Sequence, residues 1–504
     1  MTQREKIYNS VIDWLVEKHQ EPNIKNHIDN LPNEDKLNAI LMLIGDSGLS
    51  YKNFIDGIKQ QTYCAELADR NVKSVWDYVW DSSDIKTKEF GEVMTPITLV
   101  NEMLDKLPID VWSNPNLKWL DPCNGVGTFA VVVHKRLMEG LSSYIEDPCD
   151  RSKYILENMI YACELQDKNM ILYMSLIDTE YNEDVNKIVS LNNNINLYSG
   201  SFLDKEFNEY MLNVWGIEKF DIIVENPPYN KPGTNNSGNQ IWDLFIDKSL
   251  NLINENGLLC AIHPPAWRKP ENYLYPKMSH YKILHLDIHN KIEGDKVLRA
   301  TTRYDWYVLK KTPTDGVIRI RDEEGIIGDY DIKKLPFIPN MKINEIIEIL
   351  GEDEKCNVHY SRNAYPPEYI DTDKGREWMT KVMKENFVYP VVNNINRKGI
   401  TLYYSSRNNG HIGVPKVIIT TTSTAIHLPL LDIEGKYGLS TSIFGIEIST
   451  QIEGEMIIKT LKSKKFESIA RAIVWGNFGT EWRAFKSFKK DFYKQFVDEN
   501  GNEI

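Results

Sequence analysis

The sequence predicts an α/β fold built around a mainly parallel, doubly wound sheet, preceded by helices and followed by a second domain. Between residues 91 and 311, short apolar strands alternate with helical stretches, which is typical of such a sheet. Over residues 1–90, apolar residues recur at helical spacing, which predicts a helical N-terminal region. The seven predicted strands are 117–121, 159–164, 195–199, 220–225, 258–263, 283–288 and 303–309.

The alternation of strands and helices ends after residue 311, which predicts a separate domain of mixed α+β structure over residues 336–504. Turns rich in Gly and Asn separate β-like runs there, and a helical stretch follows at 452–470. Residues 312–335, which include Gly325 and Gly328, are predicted to be a linker. The β-like runs are 391–396, 400–405 and 416–422.

Length and composition are those of a soluble globular protein with two or three domains. The chain has 504 residues, of which 42% are hydrophobic and 26% are charged. The net charge of −13 argues mildly against a nucleic-acid partner. Residues 459–494, however, contain ten Lys or Arg and only three Asp or Glu, so a local basic surface keeps nucleic acid open.

The sequence predicts a cytoplasmic protein without a metal centre. No apolar run approaches the roughly 18 residues of a membrane span, and the N-terminus lacks the basic-then-apolar layout of a signal peptide. Six scattered cysteines form no Cys-x-x-Cys pair, which argues against structural zinc and against a disulfide framework.

The first candidate site is the segment WLDPCNGVGTFA at 119–130, where an apolar strand enters a glycine turn and then a helix. Gly125 and Gly127 allow positive φ and a close approach of a ligand to the backbone. The turn lacks the third glycine of dinucleotide-binding loops and the Gly-Lys-Ser/Thr of ATP-binding loops, so both ligands are disfavoured. A purely structural tight turn is the alternative.

Glu164 ends the next strand, IYACE, and is the second candidate. An acid at this position can accept both hydroxyls of a ribose. The alternative is a solvated surface acid. Two candidate sites at the ends of neighbouring strands strengthen each other, because ligands of such sheets bind at the carboxyl ends of the strands.

The third candidate is the stretch ENPPY at 225–229, which ends the apolar run DIIV. The lone pair of an amino group on an aromatic ring is delocalised, and two hydrogen-bond acceptors would localise it for attack. The Asn226 side-chain oxygen and the Pro227 carbonyl are predicted to be these acceptors. Pro227 and Pro228 stiffen the backbone, and Tyr229 offers a stacking face. A proline-rich turn without a function is the alternative.

Together these motifs resemble the S-adenosylmethionine-dependent DNA adenine-N6 methyltransferases of the γ class. The matching residues are GEVMTP at 91–96, DPxxGxGxF at 121–129, the acid Glu164 and NPPY at 226–229, in that order. The resemblance implies a Rossmann-like, seven-stranded methyltransferase sheet over residues 91–311. It also implies that residues 336–504 form a DNA-binding target-recognition domain.

The resemblance also implies roles for single residues. Thr95 and Pro96 would line the methionine end of the cofactor, and Asp121, Gly125 and Gly127 would form the cofactor turn. Glu164 would bind the ribose, and Phe202 would pack on the cofactor adenine. Ser201 stands where the family usually has an Asp, and Asp204 is a candidate replacement. Asn226, Pro227 and Tyr229 would be the catalytic residues.

Other residues would bind the DNA. Tyr304 or Trp306, on one face of a late strand, would stack on the flipped adenine, with Tyr307 a further candidate, and for each of them packing in the core is the alternative. Arg397 and Arg407, together with Lys398 and Lys416, lie in turns that would reach base edges, and for each of them a solvated surface role is the alternative. Trp267 and Arg268 would line the DNA cleft, whereas His263 is interpreted as structural. Phosphate contacts are predicted for lysines 462, 464, 465, 486, 489, 490 and 494.

The predicted function is therefore methyl transfer from S-adenosylmethionine to the N6 amine of a flipped adenine in double-stranded DNA. A cognate restriction endonuclease on a separate chain is among the partners that this implies. The alternatives are an RNA adenine-N6 methyltransferase, a protein glutamine-N5 methyltransferase and a DNA-binding scaffold without activity. A side-chain amide poses the same chemical problem as adenine, but the large C-terminal domain favours DNA.

Overall fold

The computed structural model describes residues 3–31, 33–44, 95–182, 187–190, 193–231, 240–360, 379–422, 426, 428–476 and 479–504. The chain divides into two compact units. The first comprises Met1–Pro264, His280–Leu286 and Lys291–Asp315, and the second comprises Pro265–Ser279, Asp287–Asn290 and Gly316–Ile504. Residues 45–94, which include the second half of the predicted N-terminal helical region and the first four residues of GEVMTP, lie outside the described residues.

All seven predicted strands of the middle region are present, so the predicted α/β fold is confirmed. They occur with short additional strands, and the strands in chain order are β1 (Trp119–Asp121), β2 (Ile160–Glu164), β3 (Thr179–Asn182), β4 (Lys187–Ser190), β5 (Asn196–Ser199), β6 (Phe220–Glu225), β7 (Ile253–His263), β8 (Tyr281–His289) and β9 (Tyr304–Pro313). The order across the sheet is β5-β2-β1-β6-β7-β9-β8. Strands β5, β2, β1, β6 and β7 pair in parallel, and β9 is antiparallel to β7.

The same sheet has nine strands rather than seven, because it continues through β10 (Val317–Arg321) and β11 (Ile327–Asp331). These two strands form an antiparallel hairpin within residues 312–335, where the sequence predicts a linker. The Asp322 carboxylate accepts hydrogen bonds from the N–H groups of Glu324 and Ile326, both at 2.9 Å, and Gly325 has a φ of +82°. The glycine signal therefore belongs to a tight hairpin turn and not to a hinge.

Helices connect the strands of the first unit. They are α1 (Gln3–His19), α2 (Asn23–Asp29), α3 (Asn33–Ile44), α4 (Ile97–Leu104), α5 (Thr128–Gly140), α6 (Pro148–Asn158), α7 (Asp167–Ile177), α8 (Lys205–Tyr210), α9 (Trp242–Leu252) and α11 (Lys291–Leu298), whereas α10 (Leu274–His280) belongs to the second unit except for its last residue. The periodic residues Ile7, Val11 and Leu15 of α1 are buried in the main core, as predicted. That core also holds alternate residues of β6 and β7, namely Ile222, Val224, Leu258, Cys260 and Ile262.

The second unit contains two further four-stranded sheets. Their orders are β12-β19-β16-β17 and β13-β15-β14-β18, with β12 (Val358–Tyr360), β13 (Met379–Thr380), β14 (Tyr389–Asn396), β15 (Gly399–Ser405), β16 (Lys416–Thr420), β17 (Leu430–Asp432), β18 (Gly438–Leu439) and β19 (Ile443–Glu447). The helices are α12 (Ile343–Ile349), α13 (Gln451–Lys462), α14 (Lys464–Ala472) and α15 (Trp482–Phe485). The single helix predicted at 452–470 is two helices, because Ser463 caps α14 through the Phe466 N–H at 3.1 Å.

A buried ion pair joins β16 to β17. Lys416 Nζ lies 2.8 Å from Asp432 Oδ2, and the two side chains are 0% and 2% exposed. Lys416 also donates hydrogen bonds to the carbonyl oxygens of His411 and Val414. The interpretation of Lys416 as an outward-facing DNA-reading residue is therefore wrong, because its ammonium group is enclosed by the protein.

We expect Asp432→Ala to lower the free energy of unfolding by about 3–5 kcal/mol, because it leaves the Lys416 ammonium buried without its counter-ion. Urea unfolding followed by circular dichroism measures this change. The control is Asp491→Ala, which breaks the exposed Lys494–Asp491 pair at 3.1 Å and should leave the free energy of unfolding nearly unchanged, because solvent screens this pair. Equal losses in the two variants would contradict the structural role of the buried pair.

Among the described residues, no helix is both long enough and apolar enough to cross a membrane.

Candidate functional site

A pocket of about 240 Å³ lies where the carboxyl ends of β1, β2, β5 and β6 meet. Parallel pairing brings these strand ends to one edge of the sheet, which is where ligands of doubly wound sheets bind. Each of the four strands contributes wall residues, from Asp121, Glu164, Gly200 and Asn226 onwards. Apolar walls come from Phe129, Phe202, Ile241 and Phe245. The pocket therefore lies at the strand ends where the sequence placed its three candidate sites.

The glycine turn after β1 forms one wall of the pocket. Gly125 and Gly127 have φ values of +55° and +92°, in the left-handed region that favours glycine. A Cβ on Gly127 would lie 2.2 Å from Cδ2 of Tyr173, whereas a Cβ on Gly125 would meet nothing within 4 Å. Gly127 is therefore required by packing and by φ. At position 125, glycine is favoured by the positive φ alone, and the space beside its Cα is empty.

The Glu164 carboxylate holds this turn in place. Its Oε2 accepts a hydrogen bond from the Gly125 N–H at 2.8 Å. Its Oε1 accepts from the Gln166 N–H at 2.9 Å and from Asn169 Nδ2 at 3.3 Å. The acid predicted to bind a ribose lines the pocket, but it is also a structural acceptor that joins β2 to the turn after β1. Its ribose contact stays a prediction.

Asp121 and Cys123 lie at the start of the turn, and the surroundings of each favour its uncharged form. Burial raises the pKa of the Asp121 carboxyl well above its usual range, and the nearby Glu225 and Glu164 carboxylates raise it further. The Cys123 N–H donates to Asp121 Oδ1 at 3.3 Å. Burial likewise raises the pKa of the Cys123 thiol. A positively charged ligand group beside Asp121 would offset the burial of its carboxylate.

Phe202 and Ser201 line the wall that follows β5. The Phe202 ring packs 5.5 Å from the Phe245 ring, and Lys248 Nζ lies 4.8 Å from the centre of the Phe202 ring. The Ser201 hydroxyl accepts a hydrogen bond from the Leu203 N–H at 3.2 Å. Asp204, the candidate replacement for the missing family Asp, is exposed and does not line the pocket. Nothing in its position supports that replacement.

The side-chain amide of Asn226 is held in place just beyond the carboxyl end of β6. Its Nδ2 donates a hydrogen bond to Thr95 Oγ1 at 2.9 Å, so the two residues predicted from separate motifs meet in space. Pro227 and Pro228 line the same pocket. Pro96 precedes α4 with a φ of −61°, and its carbonyl accepts from the Val100 N–H at 3.0 Å. The predicted group of Thr95, Asn226 and Pro227 is thus brought together.

Tyr229 and the late aromatic residues are buried, and none of them lines the pocket. Tyr229 is 9% exposed, and its hydroxyl makes no hydrogen bond to the part of the chain that the structure describes. Trp306 is fully buried and packs 4.8 Å from the His285 ring, and Tyr304 lies in the same core. Their positions give no support to base stacking, which stays a prediction. The alternating pattern of this strand fits a face buried in the core as well as it fits a face that stacks on a base.

The residues predicted to contact DNA differ in their surroundings. Arg397 and Arg407 are exposed, Arg397 in the turn between β14 and β15 and Arg407 just beyond β15. Trp267 and Arg268 are fully buried. Arg268 donates hydrogen bonds to the Ile338 carbonyl at 2.8 Å and to Asn340 Oδ1 at 2.9 Å. The interpretation of Trp267 and Arg268 as walls of a DNA cleft is therefore wrong, because both side chains are enclosed.

His263 is buried and structural, as interpreted from the sequence. Its ring stacks on the Trp242 ring at 4.5 Å, and its Nε2 lies 3.0 Å from the Tyr307 hydroxyl. The described residues contain no cluster of three or more His, Cys, Asp or Glu side chains placed to hold a metal ion.

Sequence reasoning missed one feature of the pocket and one that lies behind it. The side-chain oxygen of Asn124 is buried at the pocket without a hydrogen bond to the described residues, so it offers an acceptor to a ligand. Glu225, directly before Asn226, is fully buried, and burial raises its pKa to about 8. The sequence does contain a signal for Glu225, because it is an acid in the last position of an apolar strand.

The family model and the two curated relatives that match this chain are all methylases. Residues 152–290, which include Glu164 and the NPPY stretch, match the family model of the Eco57I restriction-modification methylases. An uncharacterized adenine-specific methylase of Mycoplasma pneumoniae is 27% identical over 233 residues, which cover 35% of this chain and 55% of the relative. The type II restriction enzyme and methyltransferase RM.BcgI of Heyndrickxia coagulans is 27% identical over 228 residues, covering 45% and 30%.

These matches confirm the resemblance to adenine-specific methylases of restriction-modification systems that the motifs predict. The chain spans about half the length of the first relative and less than a third of the second. Among solved structures, the ATP-dependent type ISP restriction-modification enzyme LlaBIII bound to DNA is similar, with a TM-score of 0.48 and 12% identity, over 95% of this chain and 44% of that one.

We expect Gly127→Ala to destabilise the protein more than Gly125→Ala does. Both variants place a side chain at positive φ, at a cost of about 1–2 kcal/mol, but only the alanine at 127 also collides with Tyr173. Thermal unfolding measures the difference. The control is Gly216→Ala, which has a φ of +67° with no atom within 4 Å of its Cβ and lies outside the pocket. A Gly127 variant as stable as the control would contradict the close packing of the turn.

Proposed function

We propose that this protein is an S-adenosylmethionine-dependent DNA methyltransferase that modifies the N6 amine of adenine. The observation that carries the proposal is the Asn226 amide, fixed by Thr95 at 2.9 Å beside the pocket that the glycine turn encloses. A carboxamide and a proline carbonyl at the mouth of a nucleotide-sized pocket suit an amine substrate. The matched family and both curated relatives, which are methylases, support the same assignment.

The pocket fits the proposed cofactor. S-adenosylmethionine supplies a methyl group on a positively charged sulfur. Asp121 is a buried carboxyl with no cationic partner among the described residues, and it would stabilise positive charge on a ligand. The Asn124 side-chain oxygen is a buried acceptor that a ligand donor would satisfy. Phe202 and Phe129 provide apolar faces for a purine.

The residues of the chain would act on the amine by positioning and by electrostatics. Thr95 fixes the donor end of the Asn226 amide, which directs the opposite, acceptor end away from Thr95. The Asn226 oxygen and the Pro227 carbonyl would accept the two N–H bonds of the amine and so localise its lone pair. Pro227 and Pro228 lower the entropic cost of holding this geometry, because proline fixes φ. No acid–base step precedes attack.

The second unit supports DNA as the substrate. The sheet β13-β15-β14-β18 presents the exposed Arg397 in a two-strand turn and the exposed Arg407 just beyond β15, and an Arg on a turn can reach guanine in the major groove. The adenine must leave the duplex to expose its amine, at a cost of a few kcal/mol. A separate restriction endonuclease and a cytoplasmic location stay predictions.

The decisive experiment incubates the pure protein with methyl-labelled S-adenosylmethionine and, in parallel, duplex DNA, RNA or denatured total protein. Mass spectrometry of the digested products identifies the modified group. The proposal expects N6-methyladenine in DNA alone. Label in RNA adenine or on a protein glutamine, with none in DNA, would replace the proposed substrate by one of the alternatives.

We expect Asn226→Ala to lower kcat by at least about 10²–10³, because it removes a positioned acceptor from the amine. Thr95→Val should lower kcat by about fivefold to tenfold, the effect of one neutral hydrogen bond of about 1 kcal/mol. Thr95→Ser keeps the hydroxyl and is the matched control. Single-turnover kinetics and calorimetric titration of the cofactor separate the effects on transfer from those on binding. An Asn226→Ala variant with near wild-type turnover would rule out the assigned role.

A further inference from the structure

The last residue of β6, Glu225, is a buried acid that the proposed mechanism does not use. It is 0% exposed and directly precedes Asn226. In the sheet it pairs with Ala261 of β7, and Ala261 pairs with Tyr307 of β9. In-register neighbours point to the same face of a sheet. Glu225 and Tyr307 therefore flank the small Ala261 side chain on one face.

This face is covered by α9, which places a hydroxyl beside the acid. Ser249 of α9 is fully buried and lies close to Glu225, but neither its hydroxyl nor the two carboxyl oxygens of Glu225 make a hydrogen bond to the described residues. Trp242, two turns earlier on the same helix, stacks on His263, and His263 Nε2 lies 3.0 Å from the Tyr307 hydroxyl. Glu225, Ser249, Tyr307 and His263 thus form a buried polar cluster between the sheet and α9.

No positive charge compensates Glu225 within the described residues. The titratable groups that face it are Asp121 and Cys123 from the turn after β1 and Tyr307 from β9. Asp305, at the start of β9, acts on Tyr307. None of the four is a cation, so none of them stabilises the ionised form of Glu225, and burial itself opposes that form. A buried carboxyl without a cation and without strong hydrogen bonds is stable only when it keeps its proton.

We propose that Glu225 is a positioning residue: its uncharged carboxylic acid group packs between α9 and the Tyr307 side of the sheet, and its ionisation there, without a hydrogen-bond partner or a cation, displaces the strand end that carries Asn226 and Pro227. This inference rests on the proposed function for its catalytic consequence. Consecutive residues of a strand point to opposite faces. Asn226 therefore turns towards Thr95 and the pocket while Glu225 anchors the same strand end from behind.

The inference makes the site sensitive to alkaline pH. Burial raises the pKa of Glu225 from 4.5 to about 8. The folded protein therefore keeps a proton that the unfolded chain releases near pH 4.5, so this contribution to stability is full below pH 4.5 and is lost as pH rises through about 8. Ionisation above that pH places an uncompensated charge behind Asn226 and displaces the strand end, which lowers transfer and not cofactor binding.

The test compares wild type with Glu225→Gln, which keeps the shape of the group but cannot ionise. Between pH 7 and pH 9 the wild-type kcat should fall about tenfold, since one unit above the pKa leaves about one molecule in ten protonated. The kcat of Glu225→Gln should stay flat over the same range. Glu218→Gln, the same change at an exposed residue before β6, should follow the wild type. Cofactor affinity should be alike in all three.

A second readout does not depend on activity. The infrared carboxylic-acid band that Glu225→Gln removes should be present in wild type at pH 7 and lost by pH 9. Amide hydrogen exchange of residues 221–230, corrected for intrinsic rate, should rise with pH in wild type and not in Glu225→Gln.

The inference is overturned if Glu225→Gln shows the wild-type alkaline fall or loses cofactor affinity instead of kcat. It is also overturned if exchange of residues 221–230 has the same pH dependence in both proteins. A wild type that transfers no methyl group to DNA at any pH would refute the proposed function, and the exchange and infrared results would then still decide whether Glu225 holds the strand end.

Discussion

One hydrogen bond, from the Gly125 N–H to the Glu164 carboxylate at 2.8 Å, joins the two strand ends on which the pocket depends. Strands β1 and β2 pair in parallel, so the turn after one and the acid of the other arrive side by side. The Asn124 N–H adds a second tie, to the Cys163 carbonyl at 2.9 Å. Because the carboxylate is already oriented by protein donors, the pocket has its shape before a ligand enters.

This arrangement concentrates acids in a place where burial disfavours their charge. Asp121 and Glu225 both have raised pKa values, caused first by burial. Burying carboxyl groups near one another costs stability that a closely packed core elsewhere must offset. A cationic ligand would recover part of that cost at Asp121, whereas Glu225 lies behind the strand and outside the pocket wall. Asp121 would therefore be stabilised by a cationic ligand, whereas Glu225 is stabilised by keeping its proton.

The sequence predicted the elements that depend on local pattern and missed those that depend on packing. Apolar runs located all seven strands of the middle region, and the strand ends located Asp121, Glu164 and Asn226 at one pocket. Alternation along β9 equally fits core packing and a ligand face, and Trp306 proved to be in the core. Lys416 shows the same limit, because its counter-ion Asp432 is 16 residues away and no local signal announces the pair.

The two faces of β6 explain why an acid stands at position 225. A glutamine there would occupy the same space and would have no proton to lose, so shape and packing alone do not require a carboxyl group. What the carboxyl group adds is a second, charged state at a pH only slightly above neutrality. That state is disfavoured by burial, and no cation among the described residues compensates it. Because Asn226 directly follows Glu225, the last residue of β6, the proposed effect of Glu225 protonation would reach the Asn226 amide through a single peptide unit.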